Sequence, residues 1–308
     1  VGGVPGGVDV RRAERQLESG HTCARADWRA NLSGVVRQGC QVVARESAGG
    51  GELVSSELHA VTGVSREADD NGLCLLEGTR LVVDAWSAGV RFDSVFVTPR
   101  FIDQPEPLPI LSALEEAGVP LLLVSEALLA EISDTTTPQG IVALSHLPDL
   151  PVPANPWLVL VLDGVGDPGN AGTLLRSAVA AGVGLVIFGP GTVDPFSPKV
   201  LRAGMGAHFR IATLAAANWD EVASAMGGER PFFVADAQAS LGYEAVDWNL
   251  PAALVIGSEA HGPSQAALAA ATPIAIPMSS AMESLNAGVA GSVILFEAAR
   301  QRRRDQIR

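Results

Sequence analysis

The stretch LVIGSEAHGPS, residues 254–264, decides the fold of this chain. It runs from an apolar strand directly into an acidic loop. Gly257 and Gly262 in this loop let the backbone approach a ligand closely or take positive φ. Glu259 lies between them, where an exposed backbone turn would hold a carboxylate near amide donors. The stretch therefore indicates a binding loop at the end of a buried strand, with an ordinary turn as the alternative.

A second stretch, IPMSSAMESLNAGVAGSVILFEAAR at 276–300, repeats this plan with a longer helix. A short strand leads into an uncharged polar loop, and the loop leads into the helix. Ser284 is placed to cap this helix, which we expect to begin at Leu285, and Asn286 would project from its first turn. Because a helix N-terminus carries free N–H groups, the loop favours a polar or anionic ligand.

Upstream of both stretches, short apolar runs alternate with amphipathic helices from residue 157 onward. The predicted strands are WLVLVLDG (157–164), VGLVIFG (183–189), HFRIATL (208–214) and FFVADA (232–237), with helices over 171–182 and 219–226. Alternation at this spacing predicts a parallel sheet with helices on both faces. Ligands of such sheets bind beyond the carboxyl ends of the strands, where the loops with Asn170, Glu259 and Asn286 would lie.

The first half of the chain predicts a smaller α/β domain over residues 73–146, in which four apolar strands alternate with three helices. Residues 147–156, LPDLPVPANP, hold four prolines and predict a semi-rigid linker to the domain at 157–308. Gly-rich and polar segments predict that residues 1–72 are poorly ordered.

Composition restricts the class of protein. Of the 308 residues, 47% are hydrophobic and 18% are charged, which is typical of a globular chain. No apolar run is long enough to span a bilayer and no signal segment opens the chain, so we expect a cytoplasmic protein without a membrane partner. Cys23, Cys40 and Cys74 are widely spaced and lack metal-ligand spacing, so they predict neither disulfides nor a metal site.

The net charge of −13 argues against a nonspecific polyanion binder, because phosphate affinity comes mainly from Lys and Arg. The basic residues are unevenly distributed, however. Arg176, Lys199, Arg202 and Arg210 fall within one 35-residue window and could face a nucleic acid locally. The alternative is that they are scattered surface charges.

Gly164, Gly166 and Gly169 form a GxGxxG pattern between a strand and a helix, as in dinucleotide-binding turns. That interpretation requires an acidic residue near the end of the next strand to hold a ribose, and VGLVIFGPG has none. Pro168 also removes one amide from the phosphate cradle. Hydride transfer to NAD by an oxidoreductase is therefore a remote alternative.

The same turn contains a second pattern, N-x-G-x-x-x-R, formed by Asn170, Gly172 and Arg176 on a helix that we expect to begin near Ala171. Alone this pattern is weak. It is followed in order by GSEAHG (257–262), IPM (276–278) and ESLN (283–286). The ordered set is specific.

With these motifs the chain resembles the SpoU/TrmH family of RNA ribose methyltransferases, which belongs to the SPOUT superfamily. The resemblance covers residues 157–300. It extends more loosely over 73–147, which looks like the small substrate-binding domain, akin to a ribosomal protein, of family members that act on ribosomal RNA. The resemblance implies a trefoil-knotted C-terminal domain, S-adenosylmethionine as the cofactor and a homodimer.

The resemblance also implies where the cofactor and the RNA bind. The loops would hold S-adenosylmethionine through backbone contacts, and the residues concerned are Gly257, Gly262, Ile276, Met278 and Leu285. RNA would be held by the local basic group, for which we name Lys199, Arg202 and Arg210.

The catalytic set implied by the resemblance is Arg176, Asn170, Glu259, Ser284 and Asn286. Arg176 would bind the phosphate and orient the ribose hydroxyl, because a guanidinium is a poor base on its pKa alone; that it also takes the hydroxyl proton is the alternative. Asn170, Ser284 and Asn286 would position the ribose and the loops by hydrogen bonds. Glu259 would hold the knot loop or Arg176.

The predicted function is transfer of a methyl group from S-adenosylmethionine to a ribose 2′-hydroxyl of ribosomal RNA, with no DNA partner. The same chemistry on transfer RNA is an alternative, which the type of N-terminal domain disfavours. A catalytically idle RNA-binding factor is another alternative. The intact catalytic set argues against it.

Overall fold

The structure is a computed structural model that describes residues 41–42, 72–104, 108–133, 135, 137–226, 230–279 and 284–306. The chain divides into two compact units, Val1–Leu147 and Pro148–Arg308. Apart from 41–42 and 72, the segment predicted to be poorly ordered lies outside the described residues. In the described part of the chain, no helix is long and apolar enough to cross a membrane.

The first unit is built on a five-stranded mixed sheet. Its strands are β1 (Gln41–Val42), β2 (Leu73–Glu77), β3 (Phe92–Val97), β4 (Leu121–Leu123) and β5 (Ile141–His146), in the order β1-β4-β3-β5-β2. Its helices are α1 (Thr79–Ser87), α2 (Pro99–Ile102), α3 (Leu108–Glu116) and α4 (Glu126–Ile132). Strand β5 is antiparallel to β2 and β3, whereas β4 is parallel to β1 and β3. The predicted alternation of strands and helices over 73–146 is therefore confirmed.

The second unit contains a six-stranded sheet in which every pairing is parallel. Its strands are β6 (Leu158–Asp163), β7 (Leu185–Phe188), β8 (Ala212–Ala215), β9 (Phe232–Ala235), β10 (Ala252–Gly257) and β11 (Thr272–Ile274). Its α-helices are α5 (Pro168–Ala181), α6 (Pro198–Gly204), α7 (Trp219–Ala225), α8 (Gln265–Ala270) and α9 (Ala287–Gln306). Two 3-10 helices cover Ala207–Phe209 and Tyr243–Ala245.

Both faces of this sheet are covered by helices, as predicted. The central strands β6 and β10 are buried along their whole length. Alternate residues of a strand point to opposite faces. Leu160 and Ile256 accordingly pack in the same cluster as residues of α5 and α9, while Val161 and Val255 pack with Val222 of α7 and residues of α8.

The strand order, β11-β9-β10-β6-β7-β8, places a topological switch point between β6 and β10. After β6 the chain builds β7 and β8 on one side, and it then crosses to build β9, β10 and β11 on the other. Loops that leave neighbouring strands in opposite directions open a crevice at the carboxyl ends of those strands. The loops after β6 and β10 flank this crevice.

Helix α5 begins at Pro168 rather than near Ala171. The Asp167 side chain accepts a hydrogen bond from the backbone N of Asn170 at 2.8 Å and caps the helix, and Pro168 occupies the first turn. Proline is favoured there because its missing N–H would be unpaired in any case. The predicted start near Ala171 is about one turn too late, because Asp167 was not considered as a capping residue.

Helix α9 begins at Ala287, so the predicted start at Leu285 with Ser284 as the cap is wrong. Asn286 caps the helix instead: its Oδ1 accepts from the backbone N of Val289 at 3.1 Å. Asparagine and serine are about equally good caps. The start of the first turn at Ala287 therefore makes Asn286, and not Ser284, the capping residue.

Two glycines permit close packing of the helices around α5. A Cβ at Gly172 would lie 2.4 Å from Ala203 Cβ on α6 and 2.8 Å from Gly204 N. A Cβ at Gly291 on α9 would lie 2.3 Å from Leu174 Cδ2. The glycine of the N-x-G-x-x-x-R pattern is therefore a packing residue, because only a residue without a side chain allows α5 and α6 this approach.

Candidate active site

A chain of three polar side chains joins the loop after β10 to the first turns of α5 and α9. Asn170 Nδ2 donates to Glu259 Oε1 at 2.8 Å, and Asn286 Nδ2 donates to Asn170 Oδ1 at 2.9 Å. Asn170 is buried, with 9% of its surface exposed. Each asparagine also belongs to the cap of its own helix. The network therefore fixes the N-termini of α5 and α9 and the loop after β10 relative to one another.

Glu259 closes the turn before α5 with both carboxylate oxygens. Oε2 accepts from the backbone N of Gly166 at 3.2 Å, and Oε1 accepts from the backbone N of Asp167 at 3.3 Å. Burial raises the pKa of the Glu259 carboxyl, but hydrogen bonds from Asn170 and from backbone amides outweigh burial, and the net pKa is below its usual value. The carboxylate therefore remains ionised at neutral pH.

This arrangement removes the basis of the dinucleotide interpretation. The amides that a GxGxxG turn would offer to a pyrophosphate donate to a carboxylate of the same chain at Gly166 and Asp167. Glu259 was predicted to hold the knot loop or Arg176, and in the structure its carboxylate binds the turn before α5 and the side chain of Asn170.

The loop after β10 is held in a tight conformation. Ser258 and Gly262 exchange backbone hydrogen bonds of 2.9 Å in both directions, and Gly262 has φ of +68°. A Cβ at Gly257 would lie 2.3 Å from Pro263 N, so glycine is required where the loop folds back on the strand.

Asp163, at the end of β6, fixes the far end of this loop and was assigned no role from the sequence. Its carboxylate, 3% exposed, accepts from Ser264 N at 2.7 Å and from Ser264 Oγ at 3.1 Å. Ser264 in turn caps α8. A buried carboxylate that satisfies a backbone amide and a hydroxyl connects the carboxyl end of β6 with the amino end of α8. Only its position at a strand end could have indicated this role.

A cavity of about 490 Å³ opens between the loops after β9, β10 and β11. All five residues predicted to hold a cofactor line it, namely Gly257, Gly262, Ile276, Met278 and Leu285. Glu259, Ser284 and Asn286 of the predicted catalytic set line it as well. Lining residues that sequence reasoning missed include Ala235, Asp236, Ala237 and Pro263. The first three follow directly from the end of β9, where a parallel strand would be expected to contribute.

Arg176 lies apart from this cavity. It is exposed on α5, and its side chain makes no hydrogen bond or ion pair with any described residue. The structure therefore brings together four members of the predicted catalytic set, Asn170, Glu259, Ser284 and Asn286, and leaves the Arg176 side chain exposed on the surface of α5.

The predicted RNA-binding residues lie on and after α6, which packs against α5. Lys199 is exposed, Arg202 is half-buried, and Arg210 donates from Nη1 to the backbone O of Gly206 at 2.6 Å. Within the described ranges, no group of His, Cys, Asp and Glu side chains could hold a metal ion.

Comparison with known proteins agrees with this geometry. A family model described as SpoU rRNA Methylase family matches residues 157–296, and one described as MRM3-like substrate binding domain matches 65–143. The chain is 33% identical to rRNA methyltransferase 3, mitochondrial, of Mus musculus, over 76% of this chain and 69% of that protein. It is 34% identical to the 23S rRNA (guanosine(2553)-2′-O)-methyltransferase of Bacillus subtilis, over 59% of this chain and 73% of that protein.

A solved structure, the AdoMet-bound rRNA methyltransferase from Sinorhizobium meliloti, superposes with a TM-score of 0.69 and 26% identity, covering 85% of this chain and 98% of that one. Fold and site together define the class, an RNA methyltransferase with a SPOUT-type catalytic domain and an N-terminal substrate-binding domain. The chain belongs to the SpoU rRNA methylase family.

Proposed function

We propose that this protein transfers a methyl group from S-adenosylmethionine to a ribose 2′-hydroxyl of ribosomal RNA. The observation that carries the proposal is the cavity between the loops after β9, β10 and β11, which is lined by Glu259 and Asn286 of the polar network. The functions named for the mouse and Bacillus subtilis relatives support the choice of ribosomal RNA, and the bound ligand of the Sinorhizobium meliloti structure supports the choice of cofactor.

The residues present fit S-adenosylmethionine. A cavity of about 490 Å³ lies within the range of about 300 to 1,000 Å³ that small-molecule sites occupy. Ile274, Ile276 and Leu285 supply apolar surface for an adenine ring, while the close-packed backbone at Gly257 supplies polar main-chain groups. When bound, the cofactor supplies an electrophilic methyl group on a sulfonium.

The remaining requirements fall to the chain itself. Methyl transfer needs the ribose hydroxyl aligned with the methyl group and relieved of its proton. Asn170, Glu259 and Asn286 keep the loops that shape the cavity in place through their hydrogen bonds. We assign to Arg176 the binding of the RNA phosphate and the orientation of the hydroxyl, since its guanidinium is exposed and suits bidentate phosphate contacts.

A homodimer is part of the proposal. Helix α9 presents an exposed apolar stripe of Val289, Val293 and Phe296, with exposed fractions of 48%, 36% and 45%. These positions share one helix face by their spacing. A second copy packed on this stripe would bury it and could bring the partner's Arg176 to the cavity. Val289→Asp should then convert the dimer to a monomer in analytical ultracentrifugation and lower methyl transfer together with it.

We also propose that the segment after β10 forms a trefoil knot, which is supported by the packing of α9 on α5 and β10 around Gly291. For the cellular location we propose the cytoplasm. The buried Cys74 thiol, which lies 3.3 Å from Ser145 Oγ and forms no disulfide, is suited to a reducing compartment.

The function is tested with purified protein, labelled S-adenosylmethionine and ribosomal RNA transcripts. Label should enter the RNA at a nucleotide whose 3′ bond then resists alkaline hydrolysis, because the 2′-hydroxyl is blocked. Transfer RNA under the same conditions should remain unlabelled. Label on a base, label on transfer RNA alone, or binding of NAD without S-adenosylmethionine would overturn the proposal.

A further inference from the structure

The cavity wall is acidic. Asp236 and Glu259 are the two charged side chains among the described residues that line it, and no Lys, Arg or His joins them there. Glu259 already accepts hydrogen bonds on both oxygens from Asn170, Gly166 and Asp167. Asp236 is therefore the carboxylate of this wall that is not bound to the turn before α5.

Asp236 is held rigidly at the carboxyl end of β9. Its backbone N donates to the O of Ile274 on β11 at 2.9 Å, and its Oδ1 accepts from the backbone N of Gln238, also at 2.9 Å. The second carboxylate oxygen, Oδ2, makes no hydrogen bond with any described residue. The side chain is half-buried beside Ala235 and Ala237, whose small side chains leave space for a ligand.

We propose that Asp236 binds the α-ammonium group of the methionine part of S-adenosylmethionine, an inference that rests on the proposed function. A ligand ammonium taken out of water needs an anionic or polar partner, and its charge-assisted hydrogen bond to a carboxylate is among the stronger ones. The ribose diol and the adenine amino group are the other hydrogen-bond donors of this cofactor, and both are neutral. Both of these groups are also present in 5′-methylthioadenosine, so the binding of that compound separates them from the ammonium group.

The variant Asp236→Asn tests this assignment. The amide oxygen of asparagine still accepts from Gln238 N, so the turn after β9 is kept while the charge is removed. Calorimetry should show S-adenosylmethionine and its product S-adenosylhomocysteine binding about tenfold or more weakly, which is the usual contribution of a hydrogen bond to a charged group. 5′-Methylthioadenosine, which has the same adenosine but no amino acid group, should bind as it does to the parent protein.

Asp247→Asn is the matched control. Asp247 accepts from the backbone N of Asn249 at 3.1 Å in the same kind of turn, but it is exposed and does not line the cavity. Its substitution should leave the binding of all three compounds unchanged.

Three results would overturn the assignment. The first is an equal loss for 5′-methylthioadenosine, which would place Asp236 on the ribose or give it only a structural role. The second is undiminished S-adenosylhomocysteine affinity in Asp236→Asn, and the third is an equal loss in Asp247→Asn. If the parent protein binds none of the three compounds, the proposed function fails as well, which distinguishes that case from the others.

Discussion

Asn170 donates a hydrogen bond from Nδ2 to Oε1 of Glu259 at 2.8 Å, across 89 residues of the chain. This bond connects the first turn of α5 with the loop that follows β10. Since the loop also lines the cavity, the stability of the fold and the shape of the site depend on the same pair.

Glu259→Gln should lower the free energy of unfolding by about 1 kcal/mol, because one carboxylate oxygen becomes an amide donor that faces other N–H donors. Water reaches this exposed side chain, which keeps the loss small. Urea denaturation measures it. Glu221→Gln is the control: Glu221 accepts from Ala217 N and Asn218 Nδ2 beside α7. Both variants should lose stability, but only Glu259→Gln should weaken S-adenosylhomocysteine binding.

The same carboxylate should produce a measurable pH dependence. The folded-state pKa of Glu259 is lowered, so its contribution to stability is present above the unfolded pKa of about 4.3 and is lost as pH falls through the folded value. Below about pH 4.3 the parent should therefore lose stability more steeply than Glu259→Gln. Glu297, whose pKa is lowered first of all by the hydrogen bond from Arg300, is common to both proteins. Identical slopes would contradict the prediction.

Arg176→Ala should abolish methyl transfer while the affinity for S-adenosylhomocysteine stays within a few fold of the parent, because Arg176 is assigned to the RNA phosphate and hydroxyl rather than to the cofactor. Arg176→Lys keeps the charge but loses the planar fork, so it should restore RNA affinity more than turnover. Single-turnover rates and calorimetry separate the two effects. Full activity of purified Arg176→Ala would remove the arginine from the mechanism.

Replacing Lys199 and Arg202 together by alanine should lower the slope of log RNA affinity against log salt concentration by about 1 to 2, since each phosphate contact contributes about 0.7 to 0.9. Cofactor affinity should not change. Arg303 and Arg304, in the last turn of the 20-residue helix α9, provide a control that removes equal charge about 25 Å from the helix start. If the control alters the slope and the test variant does not, RNA is held elsewhere.

Gly172→Ala should destabilise the protein although alanine favours helix by about 1 kcal/mol. The new Cβ would lie 2.5 Å from Ala203 C and would push α6 away from α5, and such overpacking typically costs about 1 to 3 kcal/mol. Gly166→Ala is the control, because no atom lies within 4 Å of a Cβ there. A thermal melt at or above that of the parent would show that α6 adjusts freely.

Much of the second unit was predictable because its signals are local. Uninterrupted apolar runs such as LVLVLD at 158–163 correspond to strands buried on both faces. Their alternation with helices predicts a parallel sheet. The order of the polar motifs was equally readable, since each motif follows the carboxyl end of a strand.

Helix boundaries were predicted less well. The starts of α5 and α9 depend on which of several adjacent polar residues, Asp167 and Asn170 or Ser284 and Asn286, takes the cap. These residues have similar intrinsic preferences. Which residue caps each helix depends on the tertiary contacts of its side chain. The sequence of one segment does not contain that information.

By itself, then, the sequence determined the α/β class, the parallel sheet and the family, because strand burial and motif order are properties of short segments. The tertiary structure alone decided that Glu259 binds the turn before α5, that Asp163 holds Ser264, and that Asp236 faces the cavity. Each of these contacts joins segments that are distant in the chain, and they meet because β6, β9 and β10 lie near one another in the sheet. The order of the strands is set by the packing of the whole unit. The pairing of these polar groups follows from that strand order.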